Sequence, residues 1–133
     1  TAVGLEVLKL TSEKDYESMV MDSGAYFLEG LKSLEKRHKE IGEVDGLGLA
    51  LRAEICTEDG FTANKALVDK MVDIGMSGDL DWKGQKMGLV LDIGGYYKNV
   101  ITFAPSLHIS KTEIDQGIEL LDQLITRAKK ELA

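Results

Sequence analysis

Several residue types are scarce in this sequence, which contains one cysteine, one proline and one tryptophan among 133 residues. Cys56 has no second cysteine to pair with and no CxxC neighbour, which excludes an internal disulfide and argues against a cysteine-based zinc or redox site. With a single proline and no serine-rich or low-complexity tract, nothing in the composition marks a boundary between domains. We therefore expect residues 1–133 to form one domain.

Basic residues are also in the minority. Lysine and arginine total 16 against 23 acidic residues, and a net charge of -7 argues against a nucleic-acid partner. No apolar run is long enough to cross a bilayer, and the apolar opening at residues 1–10 has no basic region before it, so we expect neither a membrane partner nor a secretory signal. Together with the lone cysteine, these features predict a cytoplasmic protein.

Helical periodicity dominates the first third of the chain. Residues 1–10 are densely apolar and typical of the tail of a longer helix. From Tyr16 onward, apolar residues recur at spacings of three, four or seven. This pattern predicts a long amphipathic helix that starts after Thr11 and Ser12 and ends near Gly42.

Two further helices are predicted by their capping residues. Thr62 is placed to cap a shorter helix that ends at Gly75. Ser110 and Glu113 have the spacing of a capping box, which predicts a last helix that runs to the end of the chain. The apolar face of that helix consists of Ile114, Ile118, Leu121, Ile125, Ala128 and Leu132.

Alternating apolar residues predict the strands. Residues 44–55 alternate as one strand, with Leu47, Leu49, Leu51, Ala53 and Ile55 on one face. After a polar loop at 77–86, the runs MGLVLDI and NVITFAP flank GGYYK and predict a hairpin. The resulting fold class is α+β, with a small, mainly antiparallel sheet covered on one face by helices.

No arrangement of residues indicates catalysis or metal binding. His38 falls on the buried stripe of a predicted helix, and His108 follows a predicted strand, so a structural role is favoured for both. Cys56 has only Arg52 nearby to lower its pKa, which favours an inert thiol. We therefore predict no catalytic, cofactor-binding or metal-binding residue in this chain.

Two glycine-rich segments offer weak alternatives. GLGL at 46–49 lacks the third glycine of a dinucleotide fingerprint and lies within the predicted strand, so phosphate binding is not favoured. GGYYKN at 94–99 is better explained as a hairpin turn than as an anion nest. Tyr96 and Tyr97 in that turn could line a substrate entrance, although packing roles explain them without a ligand.

Three segments in this order resemble a known family: IGEVDGLGLALRAEI, MGLVLDIGGYYKNVITFAPSLHIS and KTEIDQGIELLDQLI. They are similar to the small domain of class III aminotransferases, in which a strand of the type VRGxGLMxGIE precedes a hairpin ending in VIRFxPPLxIT and a helix opening with EEID. The opening AVGLEVLKLTSEKDYESMVMDSGAYFLEGLKSL resembles the stretch where the interdomain helix of the family enters that domain. The resemblance spans nearly the whole chain.

The resemblance implies that residues 1–133 are the C-terminal small domain of a fold-type I enzyme. The parent enzyme would use pyridoxal 5'-phosphate to move an amino group between an amino donor and an oxo-acid acceptor, and would be a homodimer. In the family, the lysine that binds the cofactor lies in the large domain, upstream of the matching region. No lysine here has a matching motif, so we expect the chain alone to be inactive and to bind no cofactor.

Three residues depart from the family pattern. Thr102 stands where many relatives have an arginine that grips a substrate carboxylate, so the resemblance implies substrate contact at Thr102 without that charge. Ser106 replaces the second proline, and Asp45 replaces the arginine before GxGL. The loop at 77–86 is longer than the usual connection and has the character of an insertion.

Two alternatives stay open at the level of the sequence. The parent enzyme could be a related aminomutase or decarboxylase, because such relatives share the scaffold and differ in the large domain. A different class of function is a stand-alone module that kept the fold but serves only as a binding or assembly surface. The departures from the family pattern at Asp45, Thr102 and Ser106 are compatible with this alternative.

Overall fold

The computed structural model describes residues 1–133 as an α+β domain with four helices and six strands. The helices are α1 (Ala2–Ser12), α2 (Tyr16–Arg37), α3 (Lys65–Met76) and α4 (Lys111–Leu132). The strands are β1 (Ile41–Leu47), β2 (Ala50–Ile55), β3 (Leu80–Trp82), β4 (Gln85–Met87), β5 (Asp92–Gly94) and β6 (Val100–Phe103). None of the helices combines the length and the apolar composition that a bilayer crossing requires.

The main sheet has four antiparallel strands in the order β1-β2-β6-β5. Helices α2 and α3 pack on one face of this sheet, and α4 packs against both helices. The side chains of Leu51, Ala53 and Ile101 point into this core and are almost completely buried. The predicted fold, a small antiparallel sheet covered on one face by helices, is confirmed.

The start and the end of α2 differ from the sequence-based prediction. Thr11 and Ser12 lie inside α1, and the carboxylate of Asp15 caps α2 by accepting a backbone N–H from its first turn. The helix ends at Arg37, well before Gly42, because the next residue adopts an extended conformation with φ of -120°. Gly42 instead lies in β1.

Residues 44–55 form a hairpin rather than the single strand that alternation predicted. The chain reverses at Gly48 and Leu49, and β1 pairs with β2 from Leu47↔Ala50 outward. Gly48 has a φ of +55°, a left-handed conformation that glycine adopts without strain at the first central position of a tight turn. The reversal leaves Leu47 exposed, whereas the residues predicted to share its face, Leu49, Leu51, Ala53 and Ile55, are buried.

The predicted caps of α3 are also wrong. The hydroxyl of Thr62 donates to Asp59, and the side chain of Asn64 accepts the N–H of the first helical turn instead. Gly75 lies inside the helix, and the left-handed residue beyond its end is Gly78, with φ of +71°.

The segment predicted as a polar loop at 77–86 contains a second, two-stranded sheet. β3 and β4 pair through a turn at Lys83 and Gly84, both of which have positive φ. The predicted strand MGLVLDI is correspondingly divided, because Met87 belongs to β4 and pairing with β6 begins only at Asp92. Between them, the N–H of Leu89 donates to a carbonyl at the end of α3.

The N-terminus of α4 has the predicted capping box. The Ser110 hydroxyl accepts the N–H of Glu113, and the Glu113 carboxylate accepts the N–H of Ser110. These hydrogen bonds hold the pKa of Glu113 below its ordinary value, the backbone N–H of Ser110 contributing most. The predicted apolar face is buried at Ile114, Leu121, Ile125 and Ala128, half-buried at Ile118 and exposed at Leu132.

Candidate functional site

The face of the main sheet that the helices leave open carries a row of polar residues. Cα pairing aligns Asp45 of β1 with Arg52 of β2, then Arg52 with Thr102 of β6, and Thr102 with Asp92 of β5. All four side chains are exposed. The row forms because alternation in each strand sends the intervening apolar residues into the core.

Thr102 lies on the exposed face, as alternation in NVITFAP predicts. Its neighbour Ile101 is 1% exposed, whereas the Thr102 side chain is exposed. Phe103, the residue after Thr102, is half-buried and packs edge-to-face against Phe27 of α2, with ring centroids 5.4 Å apart. Packing therefore orients β6 so that Thr102 points away from the core, while its role toward a substrate stays a prediction.

Arg52 is the cation of the row, and it already contacts two carboxylates. Its Nη2 atom lies 3.0 Å from an oxygen of Glu43 and 3.4 Å from an oxygen of Asp45. The backbone N–H of Gly46, and then Arg52, hold the pKa of Asp45 below its ordinary value. Asp45 is thus paired across the hairpin with an arginine on the next strand.

Two grooves flank Thr102. The first, of about 360 Å³, runs beside β5 and the start of α4 and is mainly apolar, with Leu89, Leu91, Phe103 and Asp92 among its lining residues. The second, of about 350 Å³, lies over β2 and β6 and is lined by Arg52 together with small and apolar residues. Thr102, Phe103 and Ala104 line both grooves, so the grooves meet along the end of β6.

The segment after β6 turns back toward α2. The Ser106 hydroxyl accepts the N–H of His108, so Ser106 supports this turn. Nε2 of His108 lies 3.3 Å from the hydroxyl of Tyr16, and the two rings meet edge-to-face. His108 therefore connects the start of α2 to the segment between β6 and α4.

The other residues considered from the sequence lie away from this face. His38 is buried and contacts Asp122 of α4 through Nε2, which matches the structural role favoured for it. Cys56 is buried, and burial raises the pKa of its thiol. Tyr96 and Tyr97 form an exposed edge-to-face pair at the tip of the β5–β6 hairpin.

The residues beside Thr102 do not fit a pyridoxal phosphate site. A lysine that forms a Schiff base must sit in a cleft that favours its neutral amine. Neither groove beside Thr102 is lined by a lysine or a histidine. Lys129, the lysine that reaches a buried partner, is paired with the carboxylate of Glu40. No group of three or more potential metal ligands comes together either.

Comparison with known proteins decides the family. The family model described as aminotransferase class-III matches residues 1–125. The chain belongs to the class III aminotransferases.

Individual members of the class III aminotransferases match most of the chain. It is 32% identical over 126 residues to the 4-aminobutyrate aminotransferase GabT of Escherichia coli, covering 95% of this chain and 28% of that protein. It is 27% identical to an acetylornithine aminotransferase of Caldanaerobacter subterraneus, covering 96% of this chain and 28% of the relative. The chain thus spans little more than a quarter of the length of these curated relatives.

The fold also matches solved structures. A transaminase from the marine bacterium Virgibacillus superposes with a TM-score of 0.80 at 20% identity, covering 99% of this chain and 29% of that one. At that identity the match concerns the fold. It agrees with the α+β fold expected from the sequence.

The sequence indicated Thr102 as a candidate site residue, but it did not indicate its cross-strand neighbours Arg52 and Asp92. In the sequence pattern Arg52 stands out only as a residue near Cys56, and nothing marks Asp92. Their alignment with Thr102 depends on the reversal at Gly48 and on where β5 begins, and both of these differ from the sequence-based prediction. The turn glycine followed by a second apolar run was the signal that could have revealed the hairpin.

Proposed function

We propose that residues 1–133 are the C-terminal small domain of a pyridoxal-phosphate-dependent aminotransferase. In the assembled enzyme an amino group would pass between an amino acid or amine and an oxo acid. The observation that carries this proposal is the class III family match over residues 1–125, which coincides with only about 28% of the length of aminotransferase relatives. The remaining length of such relatives is where a cofactor-binding large domain belongs.

The division of labour follows from the residues present. Pyridoxal phosphate, when bound, supplies the electron sink for the reaction. The large domain would hold the cofactor, because neither groove beside Thr102 contains a lysine. This chain would contribute the open sheet face, where Thr102 meets the substrate and helps to close the cleft. The assembled enzyme would be a homodimer, and its cytoplasmic location stays a prediction.

The proposal is tested first on the chain alone and on its gene. We expect the purified chain to show no internal-aldimine absorbance with added pyridoxal phosphate and no lysine that borohydride links to the cofactor, since the required lysine is missing. An aldimine trapped at one defined lysine would overturn the division of labour. Upstream of Thr1, we expect the gene to encode a large domain with a Schiff-base lysine.

The assembled gene product provides the activity test. With pyridoxal phosphate, it should transfer an amino group from at least one amine or amino acid to an oxo acid such as pyruvate. A start codon immediately before Thr1 would favour the stand-alone module instead. A loaded enzyme that decarboxylates or rearranges amino acids but transfers no amino group would favour the related decarboxylase or aminomutase.

A further inference from the structure

The two edge strands of the main sheet, β1 and β5, differ in how their backbone is protected. On β1, the N–H of Val44 points away from β2 and donates to the Glu35 carboxylate, with 3.1 Å between nitrogen and oxygen. The next outward N–H, that of Gly46, donates to the side chain of Asp45. Carboxylates of the chain thus satisfy both donors, which protects this edge against pairing with another strand.

The backbone of β5 is open along its outer edge. The N–H of Ile55 on β2 donates to the carbonyl of Asn99, and hydrogen-bonded residues alternate along a strand, so Ile101 of β6 also faces β2. Its partner on β5, Ile93, therefore directs its N–H and C=O away from β6. The N–H of Leu91, just before β5, donates to no backbone group either. Two consecutive outward positions on this edge are thus free to pair.

An apolar groove with an acidic border lies beside the open edge. It is the groove of about 360 Å³, and Leu89 and Leu91 are among its lining residues. The two ionisable residues that line it, Asp92 and Glu113, are both acids. Asp92 is exposed, and none of the ion pairs of the chain includes it. The edge therefore combines free backbone groups, an apolar groove and an unpaired negative charge.

These three features define the strand that fits. In an antiparallel strand added to β5, the side chains opposite Leu91 and Ile93 would lie on the core-facing side next to the groove, so apolar residues suit those positions. The side chain opposite Asp92 would lie on the open face, where a lysine or arginine would meet the carboxylate. A second copy fits poorly, because pairing Leu91 with Ile93 of the copy sets two Asp92 carboxylates opposite each other.

We infer that the edge of β5 binds an extended segment of a separate protein in which apolar residues alternate with lysine or arginine. The segment would add a fifth, antiparallel strand to the main sheet, held by backbone hydrogen bonds to Leu91 and Ile93 and by an ion pair with Asp92. A charge within the contact is typical of an interface that forms reversibly, because permanent interfaces are more apolar. This surface belongs to residues 1–133 and does not depend on the proposed aminotransferase function.

The test is an NMR titration of the isotope-labelled 133-residue chain with the peptide acetyl-VKVKV-amide. We expect the peptide to shift the backbone amides of Leu91 and Ile93 and to slow their hydrogen exchange, while the amide of Val44 on the protected edge stays unchanged. Acetyl-VEVEV-amide has the same length but the opposite charge, and should bind more weakly by about threefold or more. The VKVKV peptide with N-methylated valines should not bind, because it lacks the N–H groups that face β5.

Charge reversal at Asp92 tests the specificity. Asp92→Lys should reverse the preference, so that VEVEV binds more tightly than VKVKV. Asp73→Lys is the matched control, because Asp73 is also an exposed aspartate outside every ion pair of the chain, and it lies on α3. This control should keep the preference for VKVKV. An amide spectrum that is undisturbed away from the substitution shows for each variant that the fold is retained.

Three results would contradict the proposal. Neither Leu91 nor Ile93 responds to VKVKV, or VEVEV or the N-methylated peptide binds equally well. Without peptide, slow exchange of both amides that depends on the chain concentration would assign the edge to a second copy. Slow exchange of the same amides in the assembled gene product alone would assign the edge to another part of the parent enzyme. The proposed aminotransferase function would survive each result, because amino transfer tests it separately.

Discussion

Gly24 of α2 lies directly against Gly48 in the turn between β1 and β2. A Cβ atom added at Gly24 would lie 2.2 Å from the carbonyl oxygen of Gly48, a distance at which backbone must move. Helix α2 therefore packs against the β1–β2 hairpin through two glycines, which have no side chains. We expect Gly24→Ala to destabilise the domain by about 1–3 kcal/mol, because overpacking forces shifts in both elements. Urea unfolding monitored by circular dichroism measures the change.

Gly117 provides the matched control for this substitution. It lies in α4, and a Cβ atom added there would meet nothing within 4 Å. Gly117→Ala should stabilise the domain by up to about 1 kcal/mol, since alanine is the better helix former. Equal stability changes in both variants would contradict the close approach at Gly24.

The capping box of α4 and the β1–β2 hairpin show what the sequence could and could not predict. The capping box at Ser110 and Glu113 was predicted correctly because both partners lie within four residues of each other and interact locally. The reversal at Gly48 was missed because apolar residues continue to alternate through the turn, so the pattern alone does not distinguish one long strand from two short ones. Register across strands depends on that reversal, and it is register that places Arg52 beside Thr102.

At α3, local hydrogen bonding in the turn before the helix overrode the predicted cap. Thr62 has a suitable side chain for an N-cap, but Asp59 takes its hydroxyl and its backbone N–H in a tight turn. Asn64 then caps the helix. Which of two polar residues becomes the cap is decided by the turn before the helix, and the sequence offers both.

The buried carboxylate of Glu40 is stabilised by Lys129. Each carboxylate oxygen lies 2.8 Å from the Lys129 amine, and the Glu40 side chain is 6% exposed. Burial alone would raise the pKa of Glu40, but the hydrogen bonds from Lys129 and from its own backbone N–H outweigh burial and lower the pKa. Because the folded pKa is lowered, Glu40 stabilises the domain above its ordinary pKa of 4.5, and this contribution is lost as pH falls through the folded pKa.

We therefore expect Lys129→Gln to destabilise the domain by about 1–2 kcal/mol at neutral pH, since a buried carboxylate loses its partner. The value is at the lower end because the Lys129 side chain is 38% exposed and partly screened by solvent. The difference from the parent should shrink as pH falls from 4.5 through the lowered folded pKa of Glu40, where the carboxylate becomes protonated. Unfolding free energies measured at several pH values test both statements.

Lys65→Gln is the matched control, because Lys65 pairs with Asp69 on the exposed surface of α3. Its effect should stay below about 0.5 kcal/mol at every pH. A Lys129→Gln variant as stable as Lys65→Gln at neutral pH would show that the buried pair does not stabilise the domain.

The exposed apolar side chains of α1 lead us to expect that the chain self-associates. None of its residues is buried, and its exposed apolar residues are Val3, Leu5, Val7, Leu8 and Leu10. Apolar surface of this kind favours association and binds hydrophobic dyes. We expect sedimentation velocity to show concentration-dependent association of the chain, and Leu5→Gln with Leu8→Gln to reduce it. Leu132→Gln, at an exposed position on α4, should have less effect. A monomer at all concentrations that binds no dye would contradict this prediction.

The last prediction concerns Thr102 in the assembled enzyme. Thr102 lies on the open face where the two grooves meet, and an ordinary exposed strand residue would look the same. If Thr102 meets the substrate, Thr102→Arg should add a guanidinium that pairs with a carboxylate through charge-assisted hydrogen bonds. Such hydrogen bonds are worth about 1.5–3 kcal/mol, so the preference for carboxylate-bearing over carboxylate-free amines should rise about tenfold or more.

The measurement is kcat/KM for a matched pair of amines, one with and one without a carboxylate, in both forms of the enzyme. Using the ratio of the two values cancels any change in the amount of active enzyme, because both substrates report on the same preparation. Thr102→Val keeps the approximate size of the side chain and replaces the hydroxyl by a methyl group, so its ratio should change far less than that of Thr102→Arg. If a folded, cofactor-loaded Thr102→Arg enzyme keeps the original ratio, the new guanidinium does not reach the substrate. In that case Thr102 is an ordinary strand residue, and the substrate contact assigned to this position is wrong.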